Sequence, residues 1–134
     1  MDPGDLYRGG KRILAPMVRA GTLPFREVCL EFGADLVYGE ELVDRAMLPC
    51  SRVEREGRVE FVKGADGRPL FAVRPENAAR TIFQMGTNKA ENALAAAQLV
   101  IGDVAGVDVN MGCPKVRFVV FWALCGLILA RKGL

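Results

Sequence analysis

Short apolar runs, most giving way to glycine, proline or a charged residue, alternate along this chain with helix-like segments. That alternation is the strongest constraint on its fold. "RILAPM" (12–17) reads as a strand broken by Pro16. "GTLPFREVCLEFG" (21–33) has helix punctuation: Thr22 as N-cap, Pro24 in the first turn and Gly33 at the end. Phe25, Val28, Cys29 and Phe32 recur at i, i+3, i+4 and i+7, which predicts one buried face and an inert, packed Cys29. "ADLVYGEEL" (34–42) is a second strand running into acids. Residues 45–75 are mixed, and "RVEFVKGADGRPLFAVRP" (58–75) predicts a hairpin-like insertion around Asp66-Gly67. "RTIFQMG" (80–86) is a third strand. "TNKAENALAAAQLVIG" (87–102) is a helix capped by Thr87 or Asn88, with Glu91 in its first turn and Gly102 as its stop. "AGVDVNMG" (105–112) is a fourth strand.

Strand, helix, strand, insertion, strand, helix, strand implies right-handed crossovers and a parallel sheet. The fold class is α/β. Four strands could be the N-terminal half of a TIM (β/α)8 barrel, a fold that takes roughly 250 residues, and a small open sheet fits equally well. Periodicity does not separate the two.

The 134 residues are 51% apolar, which excludes disorder, and 25% charged. Residues 1–114 carry 14 basic and 16 acidic side chains, so the main body has no basic footprint for nucleic acid. There is no histidine, and Cys29, Cys50, Cys113 and Cys125 form no C-x-x-C pair. No zinc or other metal site is expected from such spacing. The first ten residues are expected to be flexible and contain no apolar secretory stretch. A reducing, cytoplasmic setting with free thiols is therefore expected.

The end of the chain is of another kind. "FVVFWALCGLILA" (118–130) is apolar throughout and lies between Arg117 and Arg131-Lys132. As a helix it would reach about 20 Å, against roughly 30 Å for a hydrocarbon layer. A packed helix or a non-native end is expected there, with membrane association through 118–130 as the lesser alternative.

Ligands of parallel α/β proteins sit where strands deliver their carboxyl ends. Those ends carry Pro16-Met17-Val18, Glu40-Glu41, Gln84-Met85-Gly86 and Asn110-Met111-Gly112-Cys113-Pro114. Each has a plain structural reading on its own: a broken strand, a solvated acid, a turn cap, a methionine filling a gap. Together they converge on one rim. "LAPMV", "VYGEEL", "FQMGT" and "DVNMGCPK" resemble the tRNA-dihydrouridine synthases, in particular the eukaryotic branch acting on position 20 of the D-loop. The resemblance runs from about Lys11 to Lys115, and "NMGCPK" is its most specific part.

The resemblance implies a TIM barrel with FMN at its mouth, NADPH as reductant, and reduction of uridine in tRNA to 5,6-dihydrouridine. By the family's motifs Pro16, Met17, Val18, Glu41 and Gln84 would hold the flavin. Asn110 would lie near the target uracil, and Cys113 would donate the proton. A lone cysteine is ordinarily inert packing; the motif reverses that reading for Cys113. Glycine before it and proline after it suit a stiff turn that presents the thiol outward.

Past Lys115 the resemblance stops, and the family's later lysine, histidine and phosphate-binding segments do not follow. The expected organisation is a flexible 1–10, a partial flavin-binding barrel domain at 11–115 and a divergent hydrophobic tail at 116–134. A half barrel leaves sheet edges open, which favours self-association, and the chain alone is expected to be weakly active or inactive. Two further classes fit the same residues. One is a non-enzymatic regulatory or mis-spliced fragment that binds a partner. The other is a flavin oxidoreductase acting on a small enone-like substrate.

Overall fold

The computed structural model describes residues 3–64, 67–112 and 129–130. β1 (Ile13–Leu14) leads through α1 (Leu23–Glu31) to β2 (Leu36–Tyr38), and a short β3 (Leu42–Val43) precedes the single turn α2 (Asp44–Met47). β4 (Cys50–Arg55), β5 (Arg58–Lys63) and β6 (Pro69–Val73) follow, then β7 (Thr81–Gly86), α3 (Ala90–Val100) and β8 (Gly106–Val109). A two-residue β9 (Leu129–Ala130) completes the described elements.

The expected parallel sheet is present. β1, β2, β7 and β8 lie side by side in chain order, all parallel, and β3 adds in parallel to the far end of β7. The order never reverses, unlike that of a doubly wound sheet. All four strands therefore deliver their carboxyl ends to the same edge.

α1 begins and ends as its sequence signals predict. Thr22 is the N-cap residue, although its hydroxyl makes no capping bond, and Pro24 sits in the first turn. Gly33 turns the chain at φ +89°, and Gly33 and Ala34 donate to Leu30 and Cys29 in a Schellman closure. The buried face of α1 corrects the expectation. Arg26 and Leu30 are buried, whereas Phe25, Val28 and Phe32 are 41, 46 and 84% exposed and Cys29 is only half-buried. α1 packs against β2 and β6, and Phe25, Val28 and Phe32 stay exposed.

α3 starts later than predicted. Lys89 is its N-cap, without a side-chain capping bond. Thr87 is used elsewhere: its hydroxyl donates to the buried Asp44 at 2.6 Å, and its oxygen accepts from the Lys89 N–H. Pro3–Tyr7 form a 3-10 turn whose Leu6 is buried, because Leu6 and Tyr7 cover Leu36, Tyr38 and Ile82 on one face of the sheet.

The insertion is a three-stranded antiparallel sheet, one strand more than the predicted hairpin. The additional strand, β4, reaches β5 through a two-residue turn at Glu56-Gly57, both at positive φ (51° and 71°). That is the mirror-image turn whose twist suits a tight hairpin. The sheet occupies the place of a crossover helix between β2 and β7. Phe71 meets Phe83 of β7 edge-on at 5.1 Å and Phe61 at 6.0 Å, and the Arg26 guanidinium lies 4.9 Å above its ring. Phe83, Met85 and Val107 continue this core to Ala96, Ala97 and Val100 of α3.

The helical expectation for the tail fails at its end. Leu129 and Ala130 are extended and pair antiparallel with Val107 and Gly106, satisfying backbone groups that the edge of β8 would otherwise leave open. The rest of 116–134 lies outside the described residues. No helix among the described residues is long and apolar enough to cross a membrane.

Candidate functional site

Strand alternation decides what faces the sheet's second surface. Phe83, Met85 and Val107 point to α3, so Gln84 and Asp108 point the other way, toward the side where Ile82, Leu36 and Tyr38 pack. Gln84 and Asp108 are register partners across β7 and β8. The Gln84 Nε2 donates to Asp108 Oδ2 at 2.7 Å. Gln84 is 7% exposed, and its Oε1 is buried with no hydrogen-bond partner among the described residues. A buried acceptor left open in this way costs about 1–3 kcal/mol unless an N–H or O–H arrives to meet it.

Below this pair, Tyr38 and Tyr7 share a hydrogen bond of 2.6 Å. Burial first, then the bond to Tyr7 and its proximity, then the charge of Asp108, raise the Tyr38 hydroxyl well above the ordinary tyrosine value. It remains a neutral hydrogen-bonding group at physiological pH.

The other predicted residues stand around the rim. Pro16, Met17 and Val18 lie on the loop after β1, with Met17 39% and Val18 58% exposed. Glu41 is half-buried just before β3, which pairs with the carboxyl end of β7. Asn110 follows β8: its N–H extends the ladder to Met85, and its Oδ1 accepts from the Gly112 N–H at 2.9 Å. Cys113 lies outside the described residues.

Two rim loops are fastened to one another. The Arg19 N–H donates to Glu40 Oε2 at 2.9 Å, and Arg19 itself adopts φ +67°. Gly21 sits so close to the second loop that an added Cβ would lie 2.6 Å from the Glu40 nitrogen and 2.9 Å from the Gly39 carbonyl carbon. Both are backbone atoms and cannot rotate away. Gly21→Ala is accordingly expected to cost about 1–3 kcal/mol by forcing the loops apart, read as a lower midpoint in urea. A midpoint equal to wild type would mean that the two loops do not depend on this contact.

Behind the rim, Arg26 donates to the carbonyls of Gly21 and Ala72. Burial, partly offset by Glu27 and then Glu40, lowers its guanidinium to about 10, so it stays charged at neutral pH. The sequence reading missed Asp108, Tyr38 and Gly21. Asp108 could have been found, since it is a carboxylate between Val107 and Val109 on a strand whose other face is core. Nothing local marks Gly21, because its constraint comes from the loop after β2. Among the described residues, no group of three histidine, cysteine or acidic side chains is arranged to hold a metal ion.

Comparison with known proteins accords with this layout. The sequence model described as dihydrouridine synthase (Dus) matches residues 13–119, four residues beyond Lys115. A tRNA-dihydrouridine(20) synthase [NAD(P)+] of Schizosaccharomyces pombe is 49% identical over 117 residues, covering 84% of this chain and 24% of that protein. The Saccharomyces cerevisiae protein of the same name is 42% identical over 79% of this chain and 30% of its own length. A human tRNA-dihydrouridine(47) synthase [NAD(P)(+)]-like protein is 33% identical over 78% of this chain and 14% of its own. This chain spans about a quarter of the S. pombe relative and under a third of the S. cerevisiae one. With more than half of its residues matched and its strand-end motifs within the match, the chain belongs to the dihydrouridine synthase family.

Proposed function

We propose that this chain supplies the flavin-ring side of a tRNA-dihydrouridine synthase active site, reducing uridine in tRNA with FMN as carrier and NADPH as reductant. The observation that carries this reading is the buried, partnerless Gln84 Oε1 on the second face of the sheet. Oxidised isoalloxazine has one ring N–H, and such an acceptor is its complement. Exposed Met17 and Val18 offer apolar surface for a flat ring, and Glu41 lies beside the same edge. The unreversed strand order supports reading the sheet as one arc of a TIM barrel, with its active edge at the strands' carboxyl ends.

A bound FMN would supply hydride to carbon 6 of the uracil ring. Negative charge then develops at carbon 5 and on the carbonyl oxygen at carbon 4. The Cys113 thiol delivers the proton to carbon 5; an ordinary thiol, with a pKa of about 8.5, is mostly protonated at neutral pH. Asn110 holds the uracil edge near the ring. The nucleotide must leave its stack to enter such a rim, at a cost of a few kcal/mol. Exposed Phe25, Val28 and Phe32, together with a β1 that has a strand partner on one side only among the described residues, support self-association of the chain.

Titration of the purified chain with FMN, followed by quenching of flavin fluorescence, tests the reading. Saturable one-to-one binding that weakens about tenfold in Gln84→Leu is expected. A chain that leaves FMN fluorescence unchanged at any concentration sinks it.

A further inference from the structure

We propose that Asp108 is a positioning residue: its carboxylate fixes the Gln84 side-chain amide so that the oxygen, not the nitrogen, faces the ligand. This rests on the flavin reading and adds to it a residue that does not touch the flavin.

The two ends of a glutamine amide are nearly equal in shape and opposite in hydrogen-bonding character. Left alone, Gln84 could present either end. Asp108 removes that choice, because its carboxylate oxygen accepts and the Gln84 Nε2 donates to it. The 2.7 Å contact must therefore involve Nε2, which leaves Oε1 as the buried atom in need of a donor. The pairing is built into the fold, since Gln84 and Asp108 are cross-strand partners in the β7–β8 ladder. The geometry is also confined, with Gln84 only 7% exposed.

The consequence is selectivity for one atom. On the pyrimidine edge of oxidised isoalloxazine, N3–H is the single donor, flanked by two carbonyl oxygens. A buried Oε1 still in need of a donor is the complement of N3–H. A reversed amide would address one of the carbonyls and shift the ring along its edge.

FMN and 3-methyl-FMN, which lacks that N–H, separate the possibilities when titrated against the wild-type chain, Asp108→Asn and Asp108→Ala. Wild type is expected to bind 3-methyl-FMN at least tenfold more weakly than FMN. In both variants the preference should fall to about threefold, mostly through weaker FMN binding. Steric cost from the methyl group is common to all three proteins and cancels in the ratio of preferences. In the unliganded wild-type chain, the Gln84 side-chain amide protons should exchange slowly by NMR, a check that needs no substitution.

Equal binding of the two flavins by wild type overturns the proposal and leaves the FMN reading intact. Undiminished preference in both variants, or freely exchanging Gln84 amide protons, also overturns the proposal alone. Failure of wild type to bind either flavin removes the proposal together with the reading beneath it.

Discussion

Phe71→Ala is expected to destabilise the chain by about 3–5 kcal/mol, a large share of what a domain of this size possesses. The effect should be large because Phe71 joins three layers. It stands on β6 of the antiparallel sheet and its ring contacts Phe83 on the parallel sheet and Phe61 on β5. Arg26 of α1 lies over the ring face at 4.9 Å, and Gly39 runs so close that a Cβ there would lie 2.9 Å from Phe71 Cε2. Removing the ring opens a cavity between elements that β-pairing holds apart, so the walls can close only in part. It also strips the buried Arg26 guanidinium of its aromatic cover, worth about another 1 kcal/mol. Phe71→Leu keeps most of the volume and should cost under about 2 kcal/mol. Urea unfolding monitored by far-UV circular dichroism separates the two. If Phe71→Ala fell within 1 kcal/mol of wild type, the antiparallel sheet would be an appendage rather than a wall of the core.

That joint also shows where sequence reading stops. Strand and helix order were legible because short apolar runs such as β7 and longer helix-like segments such as α3 are each bounded by their own punctuation. The hairpin of β5 and β6 was legible from Asp66-Gly67, of which Asp66 lies outside the described residues. β4 was not: "SRVER" has one apolar residue in five, and its pairing is set by the Glu56-Gly57 turn and by β5 rather than by its own pattern. The α1 stripe shows a different limit. Phe25, Val28 and Phe32 do share a face, as the spacing says, but spacing cannot tell which face the sheet will cover. Arg26 won that place because carbonyls of Gly21 and Ala72 accept its hydrogen bonds and Phe71 accepts its charge. A buried arginine has no sequence signature, since its partners lie five and forty-six residues away.

The candidate site divides along the same line. Pro16, Met17, Val18, Glu41 and Asn110 were legible as strand ends and as motifs, because each follows or precedes a strand in the chain itself. The Gln84–Asp108 pair is a product of register. Twenty-four residues separate the two, and only parallel pairing of β7 with β8 brings them to one layer. A one-residue slip would turn Asp108 into the core and Val107 or Val109 toward the glutamine.

Cys113→Ala is expected to lower dihydrouridine formation in tRNA by about 10²–10⁴-fold while leaving FMN affinity unchanged. The proposed proton donor acts only after hydride reaches carbon 6, so the NADPH-dependent half of the cycle should keep its wild-type rate. Cys113→Ser should resemble alanine, since a hydroxyl is a far weaker acid than a thiol. Single-turnover mixing of NADPH-reduced chain with a tRNA transcript measures the second half-reaction alone, and anaerobic mixing with NADPH measures the first. Asn110 Oδ1 accepts the Gly112 N–H at 2.9 Å, in the turn that precedes the proposed donor in sequence. Asn110→Ala should therefore slow the same half-reaction, through looser placement of both the uracil and the turn that carries the donor. Equal slowing of both half-reactions by Cys113→Ala would point to a damaged flavin site, and an unchanged tRNA-dependent rate would assign the proton to another group.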